Sequence, residues 1–276
     1  MTVSLRVRLS FAGEVWRGFV KDNGLLLAAA VSFYTFLSIF PLLLVAVGGL
    51  AYALRSPGHA EAVLTHFLGR AVVGPQISSI IGDVIHGRSA ATGIGLLLLL
   101  WSGTSAVVAL EQAINIAWKT EGMRGFVKRR AIALLTLVVV GVLLSLSFGV
   151  TALLHSARAS SPEFLSQLTP VWGLLGHMAA AAASVALFMT IYKLLPYARV
   201  TWGTALVGGL FAGLLWEIAK HAFTFYVLHW AGYNKVYGSL GSVILLIVWI
   251  NYSAIITILG AEFASVWSER RRRESE

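Results

Sequence analysis

The stretch WGTALVGGLFAGLLWEIAKHAFTFYVL, residues 202–228, decides the fold. It contains only two fully charged residues, Glu217 and Lys220. An α-helix rises about 1.5 Å per residue, so about 20 apolar residues cross the hydrocarbon core of a bilayer. The apolar residues follow one another without the alternation that marks a transmembrane β-strand. The stretch is therefore predicted to be a membrane-spanning helix.

Five further stretches have the same character, at residues 25–54, 91–117, 131–154, 171–195 and 240–267. Of the 276 residues, 58% are hydrophobic and 12% are charged, against about 25% charged in an average soluble domain. This composition predicts an all-α polytopic membrane protein with six transmembrane helices. It excludes a secreted enzyme, a soluble nucleic-acid-binding protein and a disordered chain. The absence of cysteine excludes disulfides, thiolate metal sites and a cysteine nucleophile.

The distribution of lysine and arginine gives the orientation, because cytoplasmic segments carry the excess of basic residues. Fifteen of the 21 basic residues fall on one side of the predicted spans, and five fall on the other. Both termini are therefore predicted to lie in the cytoplasm. The chain then divides into a cytoplasmic segment (1–24), a transmembrane domain (25–267) and a basic tail (268–276). Topology explains most of the net charge of +9, and the tail is expected to bind anionic lipid headgroups rather than nucleic acid.

Two segments outside the spans are predicted to be amphipathic. Residues 5–20 place apolar side chains on one helical face and arginines elsewhere, which indicates a helix lying in the inner membrane interface. The first outer loop, residues 55–90, contains two apolar runs at helical spacing, separated by Gly74-Pro75. This loop is predicted to form two short helices that cap the outer face of the bundle.

The run AAAVSFYTFLSIFP, residues 28–41, resembles the first-helix signature of the YihY / virulence factor BrkB family, once labelled ribonuclease BN. Three more stretches agree with that family in the right order: Trp101 to Glu111 with Asn115 and Trp118; Val200-Thr-Trp202 to Gly213, Trp216-Glu217 and Phe223 to Tyr226; and Tyr237-Gly-Ser239 to Trp249, Asn251-Tyr252 and Gly260-Ala-Glu262. The resemblance covers nearly the whole chain. It implies a bacterial inner-membrane protein with six spans, and it supplies no agreed reaction or catalytic residues.

The fifth predicted helix carries the most informative polar residues. A charge near the bilayer centre costs about 2.5–3.5 kcal/mol, so it needs a partner or a water-filled cavity. Glu217, Lys220 and His221 share one helical face, and Glu217 lies about 22 Å from the cytoplasmic start of the helix, in its outer half. One hypothesis is a substrate or proton site in which Lys220 supplies a cation and Glu217 titrates. The alternatives are an ion pair that only locks helix packing, and a Lys220 side chain that reaches the outer interface.

Other polar residues extend this candidate site in both directions. Asn234, Lys235 and Tyr237 lie in the fifth outer loop, and Tyr34 belongs to the first predicted helix. Asn251 lies about 16 Å from the outer start of the sixth helix, close to the midplane. Because lipid offers no hydrogen-bond partner, Asn251 must bond to a neighbouring helix or line a cavity.

Three residues are predicted near the cytoplasmic ends of the helices: Glu111 and Asn115 on the second, and Glu262 on the sixth. One interpretation is an inner gate. The other is interface pairing with basic residues of the following loop, namely Lys119, Arg124 or Lys128.

Motifs of enzymes and metal sites are missing. The seven histidines match no metal-ligand spacing, and the P-loop, HExxH and GxSxG motifs are absent. We therefore predict no metal, no cofactor and no enzyme activity. The first functional hypothesis is a transporter of a small anionic solute, with an organic phosphate or phosphodiester as a guess from charge. The alternative is a non-transporting envelope or lipid-interacting scaffold, and an intramembrane enzyme is the third hypothesis. Membrane lipids and the solute are the expected partners; the oligomeric state is left open.

Overall fold

The computed structural model describes residues 2–54, 89–120, 122, 124–140, 142, 169–229 and 240–275. Within these residues all regular secondary structure is helical, so the predicted all-α class is confirmed for them. The helices are α1 (Thr2–Lys21), α2 (Gly24–Leu54), α3 (Ser89–Ala117), α4 (residues 126–140), α5 (Thr169–Leu194), α6 (Trp202–His229) and α7 (Leu240–Ser275).

Helices α2, α3, α5 and α6 begin and end within two residues of the stretches predicted as spans. Helix α7 begins where predicted and continues without a break through the arginine run to Ser275. Helix α4 starts five residues before the predicted 131–154 span, and the rest of that span lies mostly outside the described residues. Residues 55–88, where the two capping helices are predicted, also lie outside them.

Two helices among the described residues are long and apolar enough to cross a membrane, Trp202–Val227 and Val243–Glu274. A third is added if Phe11–Lys21 and Gly24–Ile39, which meet at a 60° bend, form one broken span. The count of six spans and the cytoplasmic position of both termini remain predictions.

The bend between α1 and α2 has a local cause. Asn23 adopts a left-handed backbone conformation with φ of 53°, which asparagine tolerates better than most residues. A Cβ at Gly24 would overlap the ring of Phe19. The glycine therefore lets the start of α2 lie directly against the end of α1.

The described chain divides into two compact units, Met1–Ser32 with Val107–Glu276, and Phe33–Ala106. The division falls within α2 and α3. Within the first unit, α6 packs against both α5 and α7, and α1 packs against α7. Among the described residues, the second unit comprises the remainder of α2 and the start of α3.

Small residues bring α5, α6 and α7 into close contact. A Cβ at Gly209 would lie 2.9 Å from backbone atoms of Val185 and Met189, and one at Gly213 would lie 2.7 Å from a methyl group of Val185. On the other side of α6, Tyr192 of α5 is fully buried and its hydroxyl donates a 2.8 Å hydrogen bond to the carbonyl of Thr257 on α7. These contacts hold α6 between its two neighbours.

Candidate functional site

Glu217 and Lys220 form an ion pair on α6, with 2.7 Å between Oε1 and Nζ. Their side chains are 23% and 35% exposed, so the pair is neither sealed in the core nor fully open. Ser184 of α5 reaches the same carboxylate oxygen with its hydroxyl at 3.1 Å, and it also contacts the carbonyl of Ala180 at 3.0 Å. Two helices therefore hold Glu217. Among the described residues, the ammonium group of Lys220 has Glu217 as its one charged partner, and its other two N–H donors can bind a further group.

Two histidines on the same helix have matching geometry. His221 Nδ1 lies 2.8 Å from the carbonyl oxygen of Glu217, and His229 Nδ1 lies 3.0 Å from that of Phe225. A carbonyl oxygen can only accept, so Nδ1 carries the hydrogen in each case. The Nε2 atom of each ring is then available to an external partner.

These side chains line a groove of about 520 Å³. The described lining residues are Ala180, Glu217, Lys220, His221, Thr224, Phe225 and His229. Pockets of about 300–1,000 Å³ are typical of small-molecule sites. The groove is thus large enough to accept an ordinary small ligand beside the ion pair.

The groove opens on the same side as the exposed face of α6. Leu206, Leu210, Leu214 and Ile218, at intervals of four residues, are between 42% and 62% exposed. His221 is exposed beyond them. The face that carries Glu217, Lys220 and His221 is therefore split. Its glycine edge packs against α5, and its other edge faces outwards.

Asn251 of α7 has a partner in the first unit. Its Nδ2 donates to the hydroxyl of Ser32 at 3.2 Å, and that hydroxyl donates to the carbonyl of Ala28 at 2.6 Å. A hydrogen bond to a neighbouring helix is one of the two alternatives that the sequence leaves open for Asn251. Tyr34 belongs to the second unit, where it is 42% exposed and its ring contacts Phe33 edge to face. Asn234, Lys235 and Tyr237 lie outside the described residues.

Glu111 lies at the centre of a buried network at the end of α3. Its Oε1 accepts from Arg124 at 3.0 Å and its Oε2 accepts from Arg129 at 3.2 Å, while its own side chain is 1% exposed. Arg124 also donates to the carbonyls of Leu195 and Pro196. The network therefore ties α3, the following loop and the end of α5 together.

Asn115 completes that network. Its amide nitrogen donates to the carbonyl of Glu111 at 2.7 Å, and its oxygen accepts from the backbone of Tyr197 and the hydroxyl of Thr120. The sequence identified Arg124 as a possible partner of Glu111 but missed Arg129, which adjoins the predicted candidate Lys128. Ser184 was also missed, because nothing in the sequence relates it to Glu217, 33 residues away.

Glu262 differs from Glu111 because it has no basic hydrogen-bond partner in the described structure. It is 1% exposed, and its Oε2 has no hydrogen bond among the described residues. The Oδ2 of Asp22, which interacts with it electrostatically, is also buried without one. A Cβ at Gly18 of α1 would overlap the Glu262 carboxylate. The interface between α1 and α7 thus encloses two carboxylates with unsatisfied oxygens.

No group of three or more His, Asp or Glu residues suited to a metal ion occurs among the described residues. The remaining evidence on identity comes from known proteins. The profile of a family described as "Virulence factor BrkB" matches residues 15–276. The chain belongs to this family. The resemblance that the sequence motifs carry is thereby confirmed.

Several curated BrkB-family relatives are similar over most of the chain. A "UPF0761 membrane protein" of Tolumonas auensis is 27% identical over 94% of this chain and 85% of its own length. The "Putative ribonuclease-like protein YfkH" of Bacillus subtilis is 26% identical over 97% and 98%, respectively. A "UPF0761 membrane protein" of Alkalilimnicola ehrlichii is 30% identical over 94% of this chain and 58% of its own length. No solved structure matches. The chain is an integral membrane protein.

Proposed function

We propose that this BrkB-family protein transports a small anionic solute across the bacterial inner membrane. The observation that carries the proposal is the Glu217–Lys220 pair at the wall of an open groove. A closed, dry ion pair is a costly way to hold helices together, because desolvating two charges can cost more than their attraction returns. The partly exposed position of this pair at the groove therefore supports a role beyond packing. Here Lys220 retains both partial exposure and free donors.

The proposed mechanism uses the two charges in turn. A solute anion takes the place of Glu217 as the partner of Lys220, and Glu217 keeps its hydrogen bond from Ser184. If Glu217 takes up a proton at that moment, it no longer competes for the ammonium group. Proton binding and solute binding are then coupled through one carboxylate. We propose an organic phosphate or phosphodiester as the solute class, and only the charge of Lys220 supports that choice.

We further propose a polar route on either side of this site. Its outer entrance comprises the predicted loop residues Asn234, Lys235 and Tyr237, and Asn251 lines its middle. The inner gate comprises the cytoplasmic-end residues Glu111, Asn115 and Glu262. In the described state Glu111 is tied to two arginines, so opening the gate requires that network to separate. The proposal assigns no enzyme activity, cofactor or nucleic acid to the chain.

The alternative function is a lipid-interacting scaffold without transport. Asn251, Glu111 and Asn115 all have hydrogen-bond partners within the protein. A scaffold requires only that such groups be paired. The two functions therefore differ in what Lys220 does.

Uptake into proteoliposomes tests the proposal. Purified protein is reconstituted, and the entry of radiolabelled sn-glycerol 3-phosphate is followed with and without an inward proton gradient. Lys220→Ala is expected to abolish uptake. Lys119→Ala is the matched control, because Lys119 also pairs with a glutamate, Glu269, at 3.0 Å but is 57% exposed at the end of α3. Uptake that is unchanged by Lys220→Ala, or lost equally in both variants, rules out this mechanism.

A further inference from the structure

We propose that the groove on α6 binds the phosphate headgroup of an anionic lipid or lipid-like amphiphile that enters sideways from the membrane. The inference rests on the proposed function and narrows its solute to a molecule with an apolar tail. Three observations support it: the height of the groove along the helix, the apolar face beneath it, and the chemistry of its polar groups.

The groove lies at a position along α6 where a membrane interface is expected. Lys220 lies about 27 Å along α6 from Trp202, and His229 lies about 40 Å along it. The hydrocarbon core is about 30 Å thick. With Trp202 at one edge of the core, Lys220 lies near the other edge, and Thr224 and His229 lie among the headgroups. A ligand phosphate at this level keeps its charge out of the hydrocarbon.

An apolar face leads up to the groove. The exposed side chains of Leu206, Leu210, Leu214 and Ile218 turn by only about 40° at each step of four residues. Phe225, 57% exposed, continues this face and lines the groove. This side of α6 is thus apolar from Leu206 to Leu214 and carries the polar groups from Glu217 onwards, with Ile218 and Phe225 beside them. An amphiphile has the same order along its length, whereas a free phosphate needs only the polar part.

The polar groups suit a phosphate. Among the described lining residues, Lys220, His221 and His229 are basic and Glu217 is acidic. A phosphate accepts hydrogen bonds from the ammonium group, the Thr224 hydroxyl and either imidazole once Nε2 is protonated. Glu217 repels the same phosphate. The groove therefore has one residue that attracts the ligand strongly and one that opposes it, on adjacent turns of one helix.

Because Lys220 attracts the ligand and Glu217 repels it, substituting each residue should have opposite effects on ligand binding. An ion pair that served only packing would not give this result. Glu217→Gln keeps an oxygen that can accept from Ser184 and removes the repulsion, so phosphate binding is expected to tighten about threefold or more. Lys220→Met removes the main donor, so binding is expected to weaken about tenfold. If the pair served packing alone, the two variants would change ligand binding equally or not at all.

Binding is measured with a fluorescent reporter, since the chain has no cysteine. Ala222, which is exposed beside the groove, is replaced by cysteine and labelled with bimane; Thr201→Cys at the other end of α6 is the control. The probes are dihexanoyl phosphatidylglycerol, dihexanoyl phosphatidylcholine and sn-glycerol 3-phosphate. The anionic lipid is expected to change the Ala222-site fluorescence at the lowest concentration, with no change at the control site.

His221→Gln covers the case in which the Lys220 variant does not fold, because His221 is exposed and its loss leaves the ion pair intact. Its expected effect is weaker binding of dihexanoyl phosphatidylglycerol, with binding of dihexanoyl phosphatidylcholine unchanged. Equal binding of phosphatidylcholine would mean an ordinary lipid contact and overturn the inference. If glycerol 3-phosphate binds as tightly as the lipid, the inference that the ligand is an amphiphile is wrong. The proposed transport of a soluble anion is then unaffected. Specific lipid binding without any solute uptake would refute the transport of soluble anions and leave the lipid site in place.

Discussion

Glu111 provides the clearest stability prediction. It is 1% exposed and pairs with Arg124 and Arg129, whose side chains are 19% and 12% exposed. Removing one partner of a buried ion pair costs about 3–5 kcal/mol. Both arginines would retain bonds to backbone carbonyls, so we expect Glu111→Ala to lose about 3 kcal/mol of unfolding free energy. Glu111→Gln keeps one acceptor oxygen and is expected to lose about 1.5–3 kcal/mol.

The comparison is with the exposed pair of Lys119 and Glu269, separated by 3.0 Å and with side chains 57% and 41% exposed. Glu269→Gln is expected to cost less than about 1 kcal/mol, because surface pairs are screened by water and salt. Unfolding is followed by far-UV circular dichroism as SDS is added to mixed micelles, at 50 mM and 500 mM NaCl. The loss caused by Glu111→Gln should persist at the higher salt concentration.

A Glu111→Gln loss no greater than that of Glu269→Gln would refute this reasoning. It would mean that the arginines are satisfied by the carbonyls alone, or that water enters the network when the carboxylate is neutralised. Either result would make Glu111 available for the proposed gate at little energetic cost.

Three further predictions use the same unfolding assay. Gly260→Ala places a methyl group against the Tyr192 hydroxyl and is expected to cost about 1–3 kcal/mol of unfolding free energy. Its control is Gly203→Ala, which should be neutral or stabilising because nothing lies within 4 Å of the new methyl group. Equal losses in the two variants would contradict the packing argument. Tyr192→Phe alone should cost about 0.5–1.5 kcal/mol. In the double variant it should relieve part of the Gly260→Ala loss, because the hydroxyl that the methyl group overlaps is gone. Strictly additive losses would count against that overlap. Glu262→Gln replaces a buried carboxylate that has an unpaired oxygen and is expected to raise the unfolding free energy by about 1 kcal/mol; a loss of stability would indicate that the charge has a partner.

The helices were predictable because apolar runs of sufficient length are a strong signal in one dimension. Helices α2, α3, α5 and α6 lie where that signal places them. The C-terminal end of α7 could not be predicted, because the apolar run stops near Trp267 and the following arginines carry no information on where the helix ends. Contacts with α1, among them the Arg270–Glu14 pair, hold this polar extension.

The partners of the polar residues were harder to predict. The sequence limits Glu111 to a few nearby cations, but the left-handed turn at Lys119, with φ of 49°, helps to determine which of them reach it. Ser184 and Ser32 bond to Glu217 and Asn251 across helix interfaces. Such contacts depend on the relative rotation of packed helices, which hydrophobic patterning constrains only loosely.

The unbroken length of α7 has a mechanical consequence. Its 36 residues form a rod about 54 Å long, much longer than the bilayer core. Near its C-terminal end, Phe11 and Glu14 of α1 contact Phe263 and Arg270. A tilt of the rod within the bilayer must therefore move α1 with it.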